Sequence, residues 1–168
     1  MFTHAPPFWY RPAAAPPPAP AAVFMGFDDV IVSPGDPMAG QYTATKNTTF
    51  SGGGLLFDAA GFTDFPANPA QSSTVALFYP GSGADVVITH GVAFQTLSLY
   101  RFGGEVRLSF KNAANIVLYT QTLSQTVGAN VYVFHTFNLA AYPGVVKLEI
   151  KLQQGDGYLI DNLSITPS

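Results

Sequence analysis

From residue 23 onward the chain is a succession of short apolar runs separated by glycine and proline turns, and this pattern restricts the fold more than any other feature. The runs are rich in β-branched and aromatic residues, which favour strands. They cover residues 23–32, 41–50, 55–58, 74–79, 86–90, 92–102, 105–111, 116–123, 131–139, 145–152 and 158–166. No stretch combines a 3.6-residue apolar period with helix caps, so the sequence predicts an all-β chain.

Two of the runs alternate strictly between apolar and polar residues. Residues 105–111 place Val106, Leu108 and Phe110 on one side, and residues 145–152 set four apolar side chains opposite three charged ones. Such strands have one buried and one solvated face, as in antiparallel sandwiches rather than parallel α/β sheets. We therefore expect an antiparallel β-sandwich.

The last run follows a Gly-Asp-Gly turn at residues 155–157 and is expected to be paired into a sheet. Leu159, Asp161, Leu163 and Ile165 should fall on one side of this strand, because side chains alternate along a strand. Asp161 then places a carboxylate in phase with apolar neighbours. A buried carboxylate needs a hydrogen-bonding partner, a water-filled edge or a cation.

Residues 1–22 differ in composition from the rest and are predicted to form an extended N-terminal arm ahead of one domain at residues 23–168. Seven of the 14 prolines lie in the first twenty residues, and proline-rich sequence favours polyproline II over central strands. Phe8, Trp9 and Tyr10 stand together in this arm. We expect them to anchor it on a partner surface; the alternatives are a linker that folds back on its own domain and a terminus without a role.

The low charge of the chain excludes several classes of function. Charged residues make up 10% of the 168 residues, and the formal net charge is −3. No Lys/Arg cluster is present to neutralise phosphates, so a nucleic-acid binder is not expected. The chain has no cysteine, which rules out disulfides and thiolate chemistry. Its apolar runs are far shorter than the roughly 18 residues of a membrane-spanning helix.

A secretion signal is also not expected, because the first twenty residues lack a basic start and prolines interrupt the place of an apolar helix. This points to a virion or extracellular location reached by cell lysis, or to a signal peptide that has been removed. The protein is expected to be an oligomer within a larger assembly.

Several short pieces resemble the jelly-roll β-sandwiches of the galactose-binding-like and carbohydrate-binding-module type. This family of sandwiches includes bacterial exported proteins that begin with Phe-Asp-Asp and end with Asp-Asn-Leu. The matching pieces here are Phe27-Asp28-Asp29, residues 92–99, 106–120 and 136–146, and Ile160-Asp161-Asn162-Leu163. The resemblance implies a non-catalytic module in which a structural Ca²⁺ often lies between the first and last strands. Some members bind sugars.

Calcium is the one cofactor that the sequence suggests. Eight of the ten acidic residues are aspartates, and most lie in turns or at strand ends. If the first and last strands are neighbours, Asp28 or Asp29 could meet Asp161 around one Ca²⁺, which takes six to eight oxygen ligands. The alternative is that these aspartates only form turns and strand ends.

Catalysis is not expected. The sequence has no Gly-x-Ser-x-Gly elbow and no His-x-His or His-Glu-x-x-His spacing. His135 is interpreted as a hydrogen-bonded core or interface residue rather than a metal ligand. Glu105 and Glu149 stand among basic residues on solvated faces, where cross-strand ion pairs are expected rather than paired glycosidase acids.

Most aromatic side chains of a sandwich belong to its core, but those beside glycine or proline are candidates for exposed loop tips. Phe62, Phe65, Tyr79 and Tyr142 meet this criterion and are predicted to contact a ligand. The leading hypothesis is a structural or adhesion module displayed on an assembly such as a phage decoration, tail or fibre, attached by its arm. The alternative is a secreted carbohydrate-binding module, with a glycan as partner.

Overall fold

The computed structural model describes residue 18, residues 20–29, residue 33 and residues 35–58, 75–81, 83–126 and 132–168. Nine strands and one helical turn occupy this part of the chain. They are β1 Val23–Met25, α1 Thr43–Lys46, β2 Thr48–Ser51, β3 Leu55–Asp58, β4 Val75–Tyr79, β5 Val86–His90, β6 Phe94–Lys111, β7 Val117–Leu123, β8 Val133–Asn138 and β9 Lys147–Pro167. All pairings between them are antiparallel. The predicted all-β sandwich class is confirmed.

Two long strands, β6 and β9, pair along nearly their whole length and carry the architecture. Their pairing shifts register around Gly103 and Glu105, and the strands continue beyond this point into a second layer. We call this point the corner. Strands that switch sheets at a bulge or bend are a standard way to close a sandwich.

The corner divides the sheet into two layers. The first layer holds β2, β5, residues 147–152 of β9, residues 105–111 of β6, and β7. The second layer holds β8, the remaining halves of β6 and β9, and then β4 and β3, with β1 beside the last residues of β9.

The main core lies between the two layers. Ile88, Leu108 and Leu148 contribute from the first layer, and Leu97 and Ile160 from the second; all are at most 1% exposed and belong to one cluster. Burying a side chain of this size contributes about 1.5–3 kcal/mol. The strict alternation in residues 105–111 and 145–152 therefore predicted the inward face correctly.

Close backbone approach at the corner explains its glycines. A Cβ atom on Gly104 would lie 2.2 Å from the carbonyl oxygen of Gln154. Gly103 has a φ of 111°, in a region that side chains strongly disfavour. The sequence interpretation of Gly103-Gly104 and of residues 155–157 as turns between separate strands is wrong, because β6 and β9 run through both positions.

Residues 41–50 also differ from the predicted strand. They contain α1, followed by Asn47 in the left-handed conformation and only then β2. Tertiary contacts decide this, since Tyr42 is buried against the rings of Phe27 and Phe50, with ring centroids 6.0 and 6.1 Å away.

The first and last strands are neighbours, as predicted. Val23 pairs with Ile165 and Met25 with Leu163, so the two strands lie side by side in the second layer. Within the described residues, no helix has the length and apolar character needed to cross a membrane.

Candidate functional site

A second hydrophobic cluster lies on the outer face of the second layer, away from the main core. Tyr132 and Leu159 are buried in it, and Phe78, Tyr100 and Phe102 pack against them. The strand register creates this cluster, because Leu159 pairs with Phe102 on one side and with Phe78 on the other.

The rings of this face contact each other in pairs. The centroids of Phe102 and Tyr132 are 6.1 Å apart, and those of Tyr100 and Phe134 are 4.8 Å apart. Phe134 keeps 53% of its side-chain surface exposed. We call Phe78, Tyr100, Phe102, Tyr132 and Phe134 the aromatic face. It is unusual for an outer face, which normally carries polar side chains.

A cavity of about 300 Å³ opens where the aromatic face meets the corner, and we call it the corner pocket. Its lining combines three kinds of surface. The residues are glycines of the corner (Gly103, Gly104, Gly157), apolar or aromatic residues (Phe78, Phe102, Tyr158, Leu159) and polar residues (Gln125, Thr126, Asp156). A concave, mostly apolar surface with a few polar groups is the usual composition of a small-molecule site.

The polar side of the pocket is fixed to the corner by hydrogen bonds. The amide of Gly103 donates to Oγ1 of Thr126 over 2.8 Å, and the amide of Thr126 donates to the carbonyl oxygen of Gly103 over 3.0 Å. Gln125 and Asp156 are exposed beside this contact. The pocket therefore has a rigid side at Gly103 and Thr126 and solvated polar groups next to it.

Asp161 lies fully buried on the aromatic side of β9 rather than in the main core. Its Oδ1 accepts a hydrogen bond of 2.7 Å from the amide of Asn162. Burial raises the pKa of Tyr132, and the negative charge of Asp161 raises it further. Both phenol and carboxylate thus belong to the surroundings of the aromatic face.

The position of Asp161 corrects the expected phase of the last strand. Tyr100 pairs with Asp161 and Ser98 with Ser164, so two residues of β9 stand opposite Leu99 alone. Asn162, with a φ of 49°, forms this bulge, and a bulge inverts the alternation beyond it. Leu159 and Asp161 share one side, whereas Leu163 and Ile165 face the main core.

The structure does not gather the three aspartates that were predicted to hold calcium. Oδ1 of Asp29 accepts a hydrogen bond of 2.5 Å from the hydroxyl of Tyr42. Among the described residues, which include Asp28, Asp29 and Asp161, no three His, Cys, Asp or Glu side chains form a group that could hold a metal ion. A Ca²⁺ ion completed by backbone oxygens stays a prediction.

The aromatic residues predicted at loop tips differ in their burial and in whether the structure describes them. Tyr79 is only 3% exposed, which corrects its expected exposure; it stacks on Tyr158 at 5.1 Å in the main core. Tyr142 is half-buried and stacks on Tyr119 at 4.9 Å. The other predicted contact residues, Phe62, Phe65, Phe8, Trp9 and Tyr10, lie outside the described residues.

The residues of the corner pocket were not identified from sequence. One signal was present, because Tyr100 and Phe102 alternate with Leu97 and Leu99 and must point away from the core. The contributions of Thr126 and Asp156 have no local signal, since only the pairing of β6 with β9 brings them together.

The expectation for Glu149 is confirmed. Its carboxylate is 2.6 Å from the Lys111 ammonium, in an ion pair across β6 and β9 on the outer face of the first layer. His135 is half-buried, with its ring centroid 6.2 Å from that of Phe137, which fits a core or interface residue. The expected hydrogen bond is not seen at its Nε2, which is buried without a partner among the described residues.

The sequence matches no protein-family model, and no curated protein matches it. The fold is similar to that of solved structures. The K2 cleaved adhesin domain of Lys-gingipain (Kgp) has a TM-score of 0.54 and 15% identity, over 88% of this chain and 99% of the other.

A mutant of CBM29-2, a family 29 carbohydrate-binding module, has a TM-score of 0.52 and 16% identity, over 87% of this chain and 90% of the other. A DUF4465 family protein from Bacteroides caccae has a TM-score of 0.57 and 10% identity, over 88% and 100%. At such identities the similarity establishes a shared β-sandwich fold, as the resemblance in the sequence implied.

Proposed function

We propose that this chain is a non-catalytic binding module that takes up a neutral carbohydrate in the corner pocket. The observation that carries the proposal is the composition of the pocket lining, in which three aromatic residues stand beside polar side chains around a cavity of about 300 Å³. The similarity to a carbohydrate-binding module and an adhesin domain supports a binding role and a place outside the cell or on its surface.

A sugar ring presents apolar C–H faces and a rim of hydroxyl groups, and the pocket offers a counterpart to each. Phe78 and Phe102 supply apolar ring surface on which a sugar face can stack. Gln125 can both donate and accept hydrogen bonds, Thr126 has a hydroxyl group, and Asp156 only accepts. Hydroxyl groups of a sugar can satisfy all three.

The charge of the lining favours a neutral sugar. Asp156 is the only charged residue among the described residues that line the pocket, and its carboxylate is exposed. A uronic acid or sulfated sugar would place a second negative charge close to it without a cation in compensation. Like charges brought together at a binding site reduce affinity and restrict the choice of ligand.

The virion role that led the sequence hypotheses is not supported by the similar structures, and the alternative of a carbohydrate-binding module is closer to them. Attachment of residues 1–22 to an assembly stays a prediction. It is compatible with glycan binding, since an arm and a pocket can serve different partners of one module.

Titration calorimetry with a panel of neutral oligosaccharides tests the proposal. We expect saturable binding of at least one of them, and we expect Phe102→Leu to lower its affinity about tenfold, because an aromatic contact is worth about 1.4 kcal/mol. Leucine keeps an apolar side chain in the half-buried position, which protects the fold.

Phe24→Leu is the matched control, because Phe24 is 51% exposed on β1 and does not line the pocket. It should leave the affinity unchanged. Absence of binding across the panel, or an equal loss for both variants, contradicts the proposal. A loss confined to Tyr142→Ala would move the site to the loop aromatic favoured by the sequence.

A further inference from the structure

A buried arginine stands directly behind the corner pocket. Arg101 is 1% exposed and lies between Tyr100 and Phe102 of the aromatic face, with its own side chain on the opposite side of β6. Arg101 lies on the same inward face of β6 as Leu97 and Leu99, so an apolar residue is expected at this position. A guanidinium group is costly there unless its hydrogen bonds are satisfied; Nη1 and Nη2 find acceptors, whereas Nε has no partner among the described residues.

The guanidinium group binds backbone carbonyls instead of a carboxylate. Nη1 donates to the carbonyl oxygen of Gly104 and, over 3.3 Å, to that of Gly103; Nη2 donates to the carbonyl oxygen of Ser124 over 2.5 Å. Within the described part of the chain, Arg101 forms no ion pair. Burial lowers its pKa.

These acceptors belong to the two segments that meet in the corner pocket. Gly103 and Gly104 line the pocket themselves, and Ser124 directly precedes Gln125 and Thr126, which line its polar side. Arg101 thus bridges the corner to residues 124–126 from the inner face. Thr126 closes the same contact through its amide and its hydroxyl group, both bonded to Gly103.

We propose that Arg101 is a positioning residue of the corner pocket, which holds Gln125 and Thr126 in place for the ligand. This rests on the proposed function, since the pocket is the site to be positioned. A stabilising role alone does not require a cation, because replacing buried charged groups with apolar residues of similar size is often neutral for stability. The fork of two donor groups, in contrast, is what joins two separate segments in one geometry.

The test compares Arg101→Met and Arg101→Lys with the wild type by amide hydrogen exchange and by oligosaccharide titration. We expect the amide of Thr126 to exchange about tenfold faster in Arg101→Met, because a charge-assisted hydrogen bond in this segment is lost. The amide of Ile150, in the first layer, should keep its wild-type rate. The affinity of Arg101→Met for the oligosaccharide should be about tenfold lower than that of the wild type.

Arg101→Lys should bring the Thr126 exchange rate and the oligosaccharide affinity only part of the way back to their wild-type values. One ammonium group cannot present the two donor groups of a guanidinium in the same geometry. Val86→Ala is the control for stability, because Val86 is buried in β5 and does not line the pocket. It should lower the melting temperature without changing Thr126 exchange or the affinity. If Arg101→Met does not fold, the test rests on Arg101→Lys, in which the amide of Thr126 must exchange faster than in the wild type.

Unchanged Thr126 exchange and affinity in Arg101→Met, or an equal response to Val86→Ala, would overturn the positioning role. Where Arg101→Met does not fold, a wild-type exchange rate of the Thr126 amide in Arg101→Lys overturns it. If the wild type binds no oligosaccharide, the proposed function fails on its own. The exchange rates then still decide whether Arg101 fixes residues 124–126.

Discussion

The outer faces of the two layers are built by the same two strands and yet have opposite characters. On the first layer, β6 and β9 turn Arg107, Lys111, Glu149 and Lys151 outward. Beyond the corner, the same strands turn Tyr100, Phe102 and Leu159 outward. The first composition is that of a solvated face. The second leaves part of the rings of Tyr100 and Phe102 exposed at the surface, which favours this layer for the proposed binding site.

The corner is what makes this difference possible within one pair of strands. Both strands cross it, so the two layers share every change in geometry at Gly103 and Gly104. A side chain added at either glycine should therefore affect both layers, whereas a change on either outer face should stay local.

The largest effect is expected for Gly104→Ala. The added Cβ would lie 2.2 Å from the carbonyl oxygen of Gln154, and backbone atoms cannot move away without disturbing the pairing of β6 and β9. We expect a loss of about 3 kcal/mol in the free energy of unfolding, measured with urea. Gly144→Ala is the control, because Gly144 has no neighbour within 4 Å and only its φ of 88° opposes a side chain. Its cost should be about 1 kcal/mol; equal losses would contradict a tight corner.

A smaller effect is expected from pH, and each layer supplies one histidine. Burial lowers the pKa of His90 in the first layer, and burial together with Arg101 lowers that of His135 in the second. In the unfolded chain both histidines have the ordinary pKa of 6.5. Below that pH the unfolded chain therefore binds more protons than the folded chain. Stability should be greatest above 6.5 and fall as the pH decreases toward the folded values.

Urea unfolding between about pH 7.5 and about pH 5 measures this slope. His90→Gln and His135→Gln should each reduce the slope of the unfolding free energy against pH, and the double variant should have the smallest slope. If one single variant removes the entire slope, the pH response belongs to one layer only.

The smallest effect is expected on the solvated face. Lys111 and Glu149 form their ion pair with side chains 18% and 27% exposed, and such pairs contribute about 0.5 kcal/mol. Glu149→Gln should lower the free energy of unfolding by no more than this, and the difference should shrink at about 0.5 M salt. A loss above about 2 kcal/mol would show that this face is more than a solvated surface.

The sequence predicted the first layer better than the second, and the reason is physical. In strands with one solvated face, apolar and polar residues alternate along the sequence. This alternation in residues 105–111 and 145–152 predicted which side is buried. Tyr158 to Leu163 are buried on both faces, and alternation carries no signal there. The length of β6 and β9 was also missed, because glycine pairs that bend a strand are indistinguishable by sequence from glycine pairs that end one.

The candidate site was less predictable than the fold. Asp161 was singled out correctly as an unusual buried carboxylate, but the bulge at Asn162 places it on the aromatic side instead of among Leu163 and Ile165. Arg101 is a comparable anomaly of the sequence, because it is a cation in phase with Leu97 and Leu99. Thr126 and Asp156 meet Phe102 only after long-range pairing, which no local pattern encodes.

The central place of β9 also affects how the chain can fold. This strand pairs with β1, β4, β5 and β6, so neither layer can be completed before Lys147–Pro167 has been synthesised. Contacts as distant in sequence as Val23 and Ile165 make loop closure costly and folding slow. Until then, the apolar strands of the nascent chain remain without their final partner and open to association with other chains. Folding of this module is therefore expected to follow translation of β9.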